Sequence, residues 1–180
     1  HKINMNSCIS EPYIVSSYKS HNEMNSNNIN DIYIDEEKRI WIANYPEGIT
    51  IIDNRYKSYN WIKHSIGNRQ SLVNDQVHSV IEDSDGDLWF GTSNGISLYQ
   101  SKTGQWHSFL SSFDHQLKNK NHIFITLCEV SPGIIWAGGY TSGVYKINKR
   151  TLSVEYFSPY LLNPDNIRPD KYIRDIVKDS

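Results

Sequence analysis

The chain has 180 residues, 38% of them hydrophobic and 12% aromatic, which is enough for one domain with a sizeable core. A net charge of −2 gives no electrostatic basis for holding nucleic acid or an anionic membrane, and no apolar run approaches the roughly 20 residues of a bilayer-spanning helix. The cysteines, Cys8 and Cys128, are too few for a disulfide scaffold, and Cys128 falls in an apolar run where a buried free thiol is expected rather than a bridge to Cys8.

Residues 1–21, which include HKINMNSC and EPYIVSSY, resemble YKINKRTLSVEYF further along the chain. They are predicted to be the last two strands of a four-stranded unit. The first whole unit spans residues 29–64 and reads INDIYIDEEKRIWIANYPEGITIIDNRYKSYNWI up to Ile62. The second spans residues 77–110, VHSVIEDSDGDLWFGTSNGISLYQSKTGQWHSFL. Its four short segments, rich in β-branched and aromatic residues and bounded by Gly, Asn, Asp and Ser, are strand signals. Gly86 in the sequence DSDGD supplies the positive φ of a tight hairpin between the first two. The third unit spans residues 123–158, and residues 172–180 repeat the opening of a unit (YIRDIVKDS against VHSVIEDS), so a further first strand is expected there.

Trp41, Trp89 and Trp136 mark the period, 48 and 47 residues apart, each preceded by an aliphatic residue and followed six or seven positions later by Gly48, Gly95 or Gly143. Four hairpin-linked strands per unit of about 45 residues is the pattern of a β-propeller blade. The expected fold is therefore all-β: a β-propeller fragment of four-stranded antiparallel blades, three whole and two partial, within one propeller domain. Both ends fall inside a blade, as expected of a piece of a larger propeller. The indoles should fill the gaps between neighbouring sheets, and the small residues after them (Ala43, Gly91, Gly138) should allow close approach.

The segment DSDGDLWFGTSNGISLY resembles the two-component regulator propeller repeat, whose pattern is roughly D-x-x-G-x-[LI]-W-[IV]-G-T-x-x-G-[LI]. The first unit departs from it at Ala43-Asn44, and the third at Gly138-Gly139 and at Ser131-Pro132-Gly133, where the acidic hairpin is lost. The resemblance implies seven-bladed propellers in the periplasmic sensor region of hybrid histidine kinases, notably those controlling polysaccharide use. It implies an oligosaccharide or glycan ligand, a parent that dimerises, and membrane contact only through the parent's transmembrane helix.

The residues offer little chemistry beside this. Asp83-Ser84-Asp85-Gly86-Asp87 lacks the distal bidentate carboxylate and the glycine position of a calcium loop, so a hairpin with solvated carboxylates is expected. The histidines show no metal-ligand spacing and His78 is matched by Asn30 and approximately Phe124, so no histidine ring, no metal and no cofactor are expected. No nucleophile elbow or phosphate-binding loop is present, and the segment is read as non-catalytic.

A functional surface belongs on one face of the blades, on the loops between second and third strands and on those joining blades. Tyr45, Glu47, Arg69, Asn94, Tyr140 and Arg168 are the candidate ligand-binding residues there. Rings that stack on the apolar face of a sugar, with amides and charged groups for its hydroxyls, suit carbohydrate recognition. The alternatives are a protein–protein interaction propeller, which would show a continuous apolar patch, and a propeller-type lyase or hydrolase, which would converge ionisable groups near the axis.

Overall fold

The first two strands of each unit are joined by a tight hairpin, and in the first two units a buried acid, Asp35 or Asp83, caps its turn. A computed structural model describes residues 2–4, 9–11, 26–53, 58–111, 122–140, 143–157 and 172–179. Strands β1 (Lys2–Asn4) and β2 (Ile9–Glu11) form an antiparallel pair. Three four-stranded antiparallel sheets follow, each built in simple up-and-down order. The first contains β3 (Ile29–Ile34), β4 (Ile40–Asn44), β5 (Gly48–Asp53) and β6 (Ser58–Ile62). The second contains β7 (Val77–Glu82), β8 (Leu88–Thr92), β9 (Gly95–Gln100) and β10 (Gln105–Phe109). The third contains β11 (Phe124–Ser131), β12 (Ile134–Gly139), β13 (Val144–Asn148) and β14 (Ser153–Phe157). No helix occurs among the described residues, and none there is long and apolar enough to cross a membrane.

The three sheets share one register. Trp41 lies opposite Tyr33 and Ile51, Trp89 opposite Ile81 and Leu98, and Trp136 opposite Cys128 and Lys146. The first strand β7 neighbours β3 on one side and β11 on the other, so the sheets stack as successive blades of a propeller. One apolar layer lies between the first and second sheets and includes Trp41, Ile49, Val80, Phe90 and Trp106. A second lies between the second and third and includes Trp89, Leu98, Phe124, Ile135 and Ile147. All five residues of β8 are buried, because both faces of the middle sheet are covered. In β3, by contrast, Ile32 and Ile34 are more than half exposed while Tyr33 faces the second sheet.

Trp41 and Trp89 fill the gaps between sheets as expected, but Trp136 is only half-buried. It packs on Phe157 of its own sheet at 5.3 Å, and no further sheet covers it among the described residues. The small residues after the indoles lie where blades meet: a Cβ on Gly91 would come within 2.8 Å of the Phe124 carbonyl oxygen, and one on Gly138 within 2.6 Å of Ile173. Gly48, Gly95 and Gly143 all take positive φ where the third strands begin.

The acidic hairpin differs from expectation. Asp83 and Asp87 are buried rather than solvated, and Lys149 from the third sheet reaches Asp83 (2.7 Å), Asp85 (2.8 Å) and Asp87 (2.8 Å). A lysine from the next blade thus occupies the centre that a cation would have taken. Burial disfavours the charge on Lys149, but its bonds to the three carboxylates outweigh burial and raise its proton affinity. Residues 172–179, expected as a strand, lie against β12 through one bond from Ile173 N to the Gly139 carbonyl (3.1 Å) but form no ladder. A first strand exists only by pairing with a second, and none pairs with it among the described residues. Cys128 is a free thiol and half-buried rather than fully buried, while Cys8 lies outside the described residues.

Candidate functional site

Each first strand carries a β-bulge at the same place. The register shifts between Ile29 and Asp31, between Val77 and Ser79, and between Phe124 and Thr126. The extra residues are Asn30, His78 and Ile125, so Ile125 rather than Phe124 is the third equivalent of His78. Bulges re-aim side chains and recur beside binding sites. Here they lie next to the turns between the second and third strands. Each turn is held to the chain entering its own sheet by one recurring bond: Tyr45 N to the Asn28 carbonyl (2.9 Å), Ser93 N to Gln76 (3.0 Å) and Tyr140 N to Ile123 (2.8 Å).

These turns and bulges enclose an open pocket of about 480 Å³. The first sheet contributes Tyr45, the second His78, Ser93 and Asn94, and the third Ile125 and Tyr140; the segments entering β7 and β11 add Asn74, Gln76 and Ile123. The Tyr45 and His78 rings lie 5.9 Å apart and tilted, and the Tyr140 ring meets Tyr172 edge-on at 4.7 Å. His78 Nε2 lies 2.8 Å from Ser93 Oγ, and its Nδ1 lies 3.4 Å from Asn30 Nδ2. Burial lowers the proton affinity of the imidazole, so His78 is neutral at pH 7.

Three of the six candidate residues, Tyr45, Asn94 and Tyr140, therefore meet in one pocket, one from each sheet. Glu47 does not join them: it pairs with Lys63 at 2.6 Å. Arg69 is exposed on the loop between β6 and β7 and does not line the pocket. Arg168 lies outside the described residues. Of the other loop residues on that face, His64 Nδ1 is bound to the Leu72 carbonyl (2.7 Å), and the Gln70 amide pairs with the backbone N–H and carbonyl of Trp106. His78, Asn74 and Gln76 were not among the candidates. The 48-residue offset between Asn30 and His78 marked the position, but a bulge has no composition signature that would show the side chain turned toward the loops.

A second cleft of about 430 Å³ lies between the first and second sheets, lined by Trp41, Trp61, Tyr99 and Trp106 with Arg39 and Lys63. Of its polar groups, Arg39 is bound to Asp35 (2.6 Å) and Lys63 to Glu47 within the first unit, and Gln70 to Trp106 of the second sheet. No group of three or more His, Cys, Asp or Glu that could hold a metal occurs among the described residues.

Comparisons with known proteins align with this architecture. Residues 23–45 and 71–94 match the family model described as two component regulator propeller. No curated protein matches the chain. A crystal structure described as the extracellular domain of a hybrid two component system from B. thetaiotaomicron, BT3049, is 21% identical over 80% of this chain, with a TM-score of 0.65. A second such domain from the same organism, BT4673, is 22% identical over 97% of this chain, also at 0.65. The chain covers 19% and 21% of these two structures, about a fifth of their length. A structure of YCF48 bound to D1 peptide is 12% identical over 73% of this chain and 40% of that one, at a TM-score of 0.52. At these identities the structures establish a shared fold.

Proposed function

We propose that this chain, which carries two component regulator propeller repeats, is a non-catalytic ligand-recognition segment in the extracytoplasmic part of a hybrid two-component sensor, and that its ligand is an oligosaccharide or glycan fragment. The observation that carries this reading is the pocket where three blades converge, with two tyrosine rings, one imidazole, amides and a hydroxyl. Rings offer flat apolar faces to a pyranose or furanose, and the amides of Asn74, Gln76 and Asn94 offer both donors and acceptors to its hydroxyls. A ligand touching three blades can be bound differently in two arrangements of those blades, which is what signalling requires; tight binding to both arrangements equally would shift nothing. Placement outside the cytoplasm, dimerisation through the parent and transmission to a kinase belong to the same proposal.

The polarity of the Ser93–His78 pair favours binding over hydrolysis. Asn30 Nδ2 donates to the Val77 carbonyl (2.8 Å) and faces His78 Nδ1, so Nδ1 is the acceptor and the proton resides on Nε2. The imidazole therefore donates to Ser93 instead of accepting its proton, the reverse of a nucleophile and its base. The interaction-propeller alternative draws on the peptide bound by the YCF48 structure. Calorimetry of the purified chain against neutral and acidic oligosaccharides separates the readings. Saturable binding without turnover, lost in Tyr45→Ala and Tyr140→Ala, is expected; turnover of any sugar would establish an enzyme, and binding to none of them would remove the carbohydrate reading.

A further inference from the structure

Asn30, His78 and Ser93 form a line of hydrogen bonds that spans the first two blades at the pocket. The direction of every bond in it is fixed by its first member. The Asn30 amide nitrogen lies 2.8 Å from the Val77 carbonyl oxygen, and turning the amide over would set two oxygens against each other. Its second N–H is left to face His78 Nδ1 at 3.4 Å, which makes Nδ1 an acceptor. The ring's one proton then sits on Nε2 and is donated to Ser93 Oγ at 2.8 Å. Ser93 lines the pocket, and with Oγ accepting this bond its own O–H remains to be offered to an occupant of the pocket.

We propose that this relay presents the Ser93 hydroxyl as a donor to ligand while His78 is neutral, and that a proton on His78 Nδ1, set against the Asn30 N–H, pushes the ring out of the relay, so that Ser93 Oγ loses the donor that orients it and the ligand is released. The inference rests on the carbohydrate reading for its ligand, but not for the relay itself. A second ring proton would point at the Asn30 N–H, donor against donor, in a partly buried place where a charge is poorly solvated. The groups facing the imidazole are the Asn30 amide on β3, the Tyr45 ring on the turn after β4 and the Ser93 hydroxyl on the turn after β8, with the Tyr140 phenol also lining the pocket. Among the described residues that line the pocket there is no Asp, Glu, Lys or Arg. Burial disfavours the charged imidazole and lowers the proton affinity of His78.

Nitrogen-detected NMR of the imidazole in the 180-residue chain tests the relay without any sugar. The proton is expected on Nε2 at about pH 7.5; a proton on Nδ1 there would overturn the proposal. Asn30→Asp replaces the facing donor with a carboxylate and should move the proton to Nδ1 and raise the titration midpoint of His78 by about one pH unit or more. An unmoved midpoint would also overturn it. A panel of neutral gluco-, xylo- and arabino-hexasaccharides then tests release. Affinity of the wild-type chain should fall about tenfold once pH is about one unit below the His78 midpoint found by NMR, while that of His78→Gln, which has no proton to gain, changes less than about twofold over the same range. Identical pH profiles for the two would overturn the release step. If no sugar of the panel binds, the carbohydrate reading falls and the release step with it, while the tautomer still decides the relay.

Discussion

Asp83 accepts donors from two directions. Within its hairpin, Oδ1 takes the N–H groups of Asp85 and Asp87 (3.0 Å each) and Oδ2 takes the Trp89 indole N–H (2.8 Å); from the next blade Oδ2 takes Lys149 (2.7 Å). Asp35 repeats the hairpin part, with Arg39 N at 2.9 Å on Oδ1 and Trp41 Nε1 at 2.8 Å on Oδ2. An acid six residues before the indole thus closes the turn and fixes the ring, and the third unit achieves the turn bond with Glu129, whose Oε1 accepts from Gly133 N (2.8 Å). Asp83→Ala leaves Lys149 and the buried indole N–H short of a partner and should cost about 3–5 kcal/mol. For a chain of this size that is a fall of roughly 6–20 °C in melting temperature. Asp85, whose carboxylate is largely exposed, is the control: Asp85→Ala should leave the melting temperature nearly unchanged. Acid should also weaken the fold in two steps. His78 has its proton affinity lowered, so the unfolded chain protonates first and stability falls as pH drops below about 6.5. For Asp35 burial acts upward, but the bonds from Trp41 and Arg39 outweigh it and hold the carboxyl below its ordinary range. Its contribution is present above about pH 4 and is lost as pH falls further. Urea midpoints measured from about pH 8 to about pH 3 should decline in both windows, and His78→Gln should flatten only the upper one.

At the scale of elements, the turn into each third strand is where backbone and neighbour act together. Gly95 has φ +100°, and a Cβ there would lie 2.6 Å from the Phe109 carbonyl oxygen. Gly104, in the turn before β10, has φ +70° and nothing within 4 Å of such a Cβ. Gly104→Ala should therefore lose only the conformational preference, about 1 kcal/mol, and Gly95→Ala distinctly more; equal losses in urea titration would mean the collision relaxes freely. These elements were largely legible in the sequence. The indole period set the number of units, and turn residues placed their ends: the second unit, expected over residues 77–110 as four strands, runs from β7 at Val77 to β10 at Phe109. The site was legible only in part. Loops that face one way can be inferred from a repeat, which is why Tyr45, Asn94 and Tyr140 came together. Contacts between strands cannot: the Glu47–Lys63 pair within the first unit that removes Glu47, the Lys149 bridge between units that buries Asp83, and the bulge that turns His78 all depend on how one strand lies against another.

At the scale of the whole molecule, the four-stranded sheets among the described residues meet in order, first with second and second with third, so their stability is approximately a sum of sheet and seam contributions. The middle sheet takes part in both described apolar layers, through Phe90 in one and Trp89 in the other. Phe90 is fully buried between Trp41 (6.1 Å) and Trp106 (5.9 Å). Phe90→Ala should cost about 3–5 kcal/mol and loosen the seam between the first and second sheets, whereas Val154→Ala on exposed β14 should be nearly silent in thermal melts. The pocket joins the same three sheets at their loops, so a ligand held by Tyr45, Asn94 and Tyr140 adds a fourth connection between them. At a ligand concentration about 100 times the dissociation constant, this linkage stabilises the folded chain by about 2.7 kcal/mol. Because the added connection spans the blades, protection should rise together at the amides of Tyr45, Ser93 and Tyr140, whose bonds anchor the three turns. Hydrogen exchange with and without a bound oligosaccharide measures this directly. Protection confined to one turn would mean that the ligand sits on a single blade, and a sensor working by the relative placement of blades could not read it.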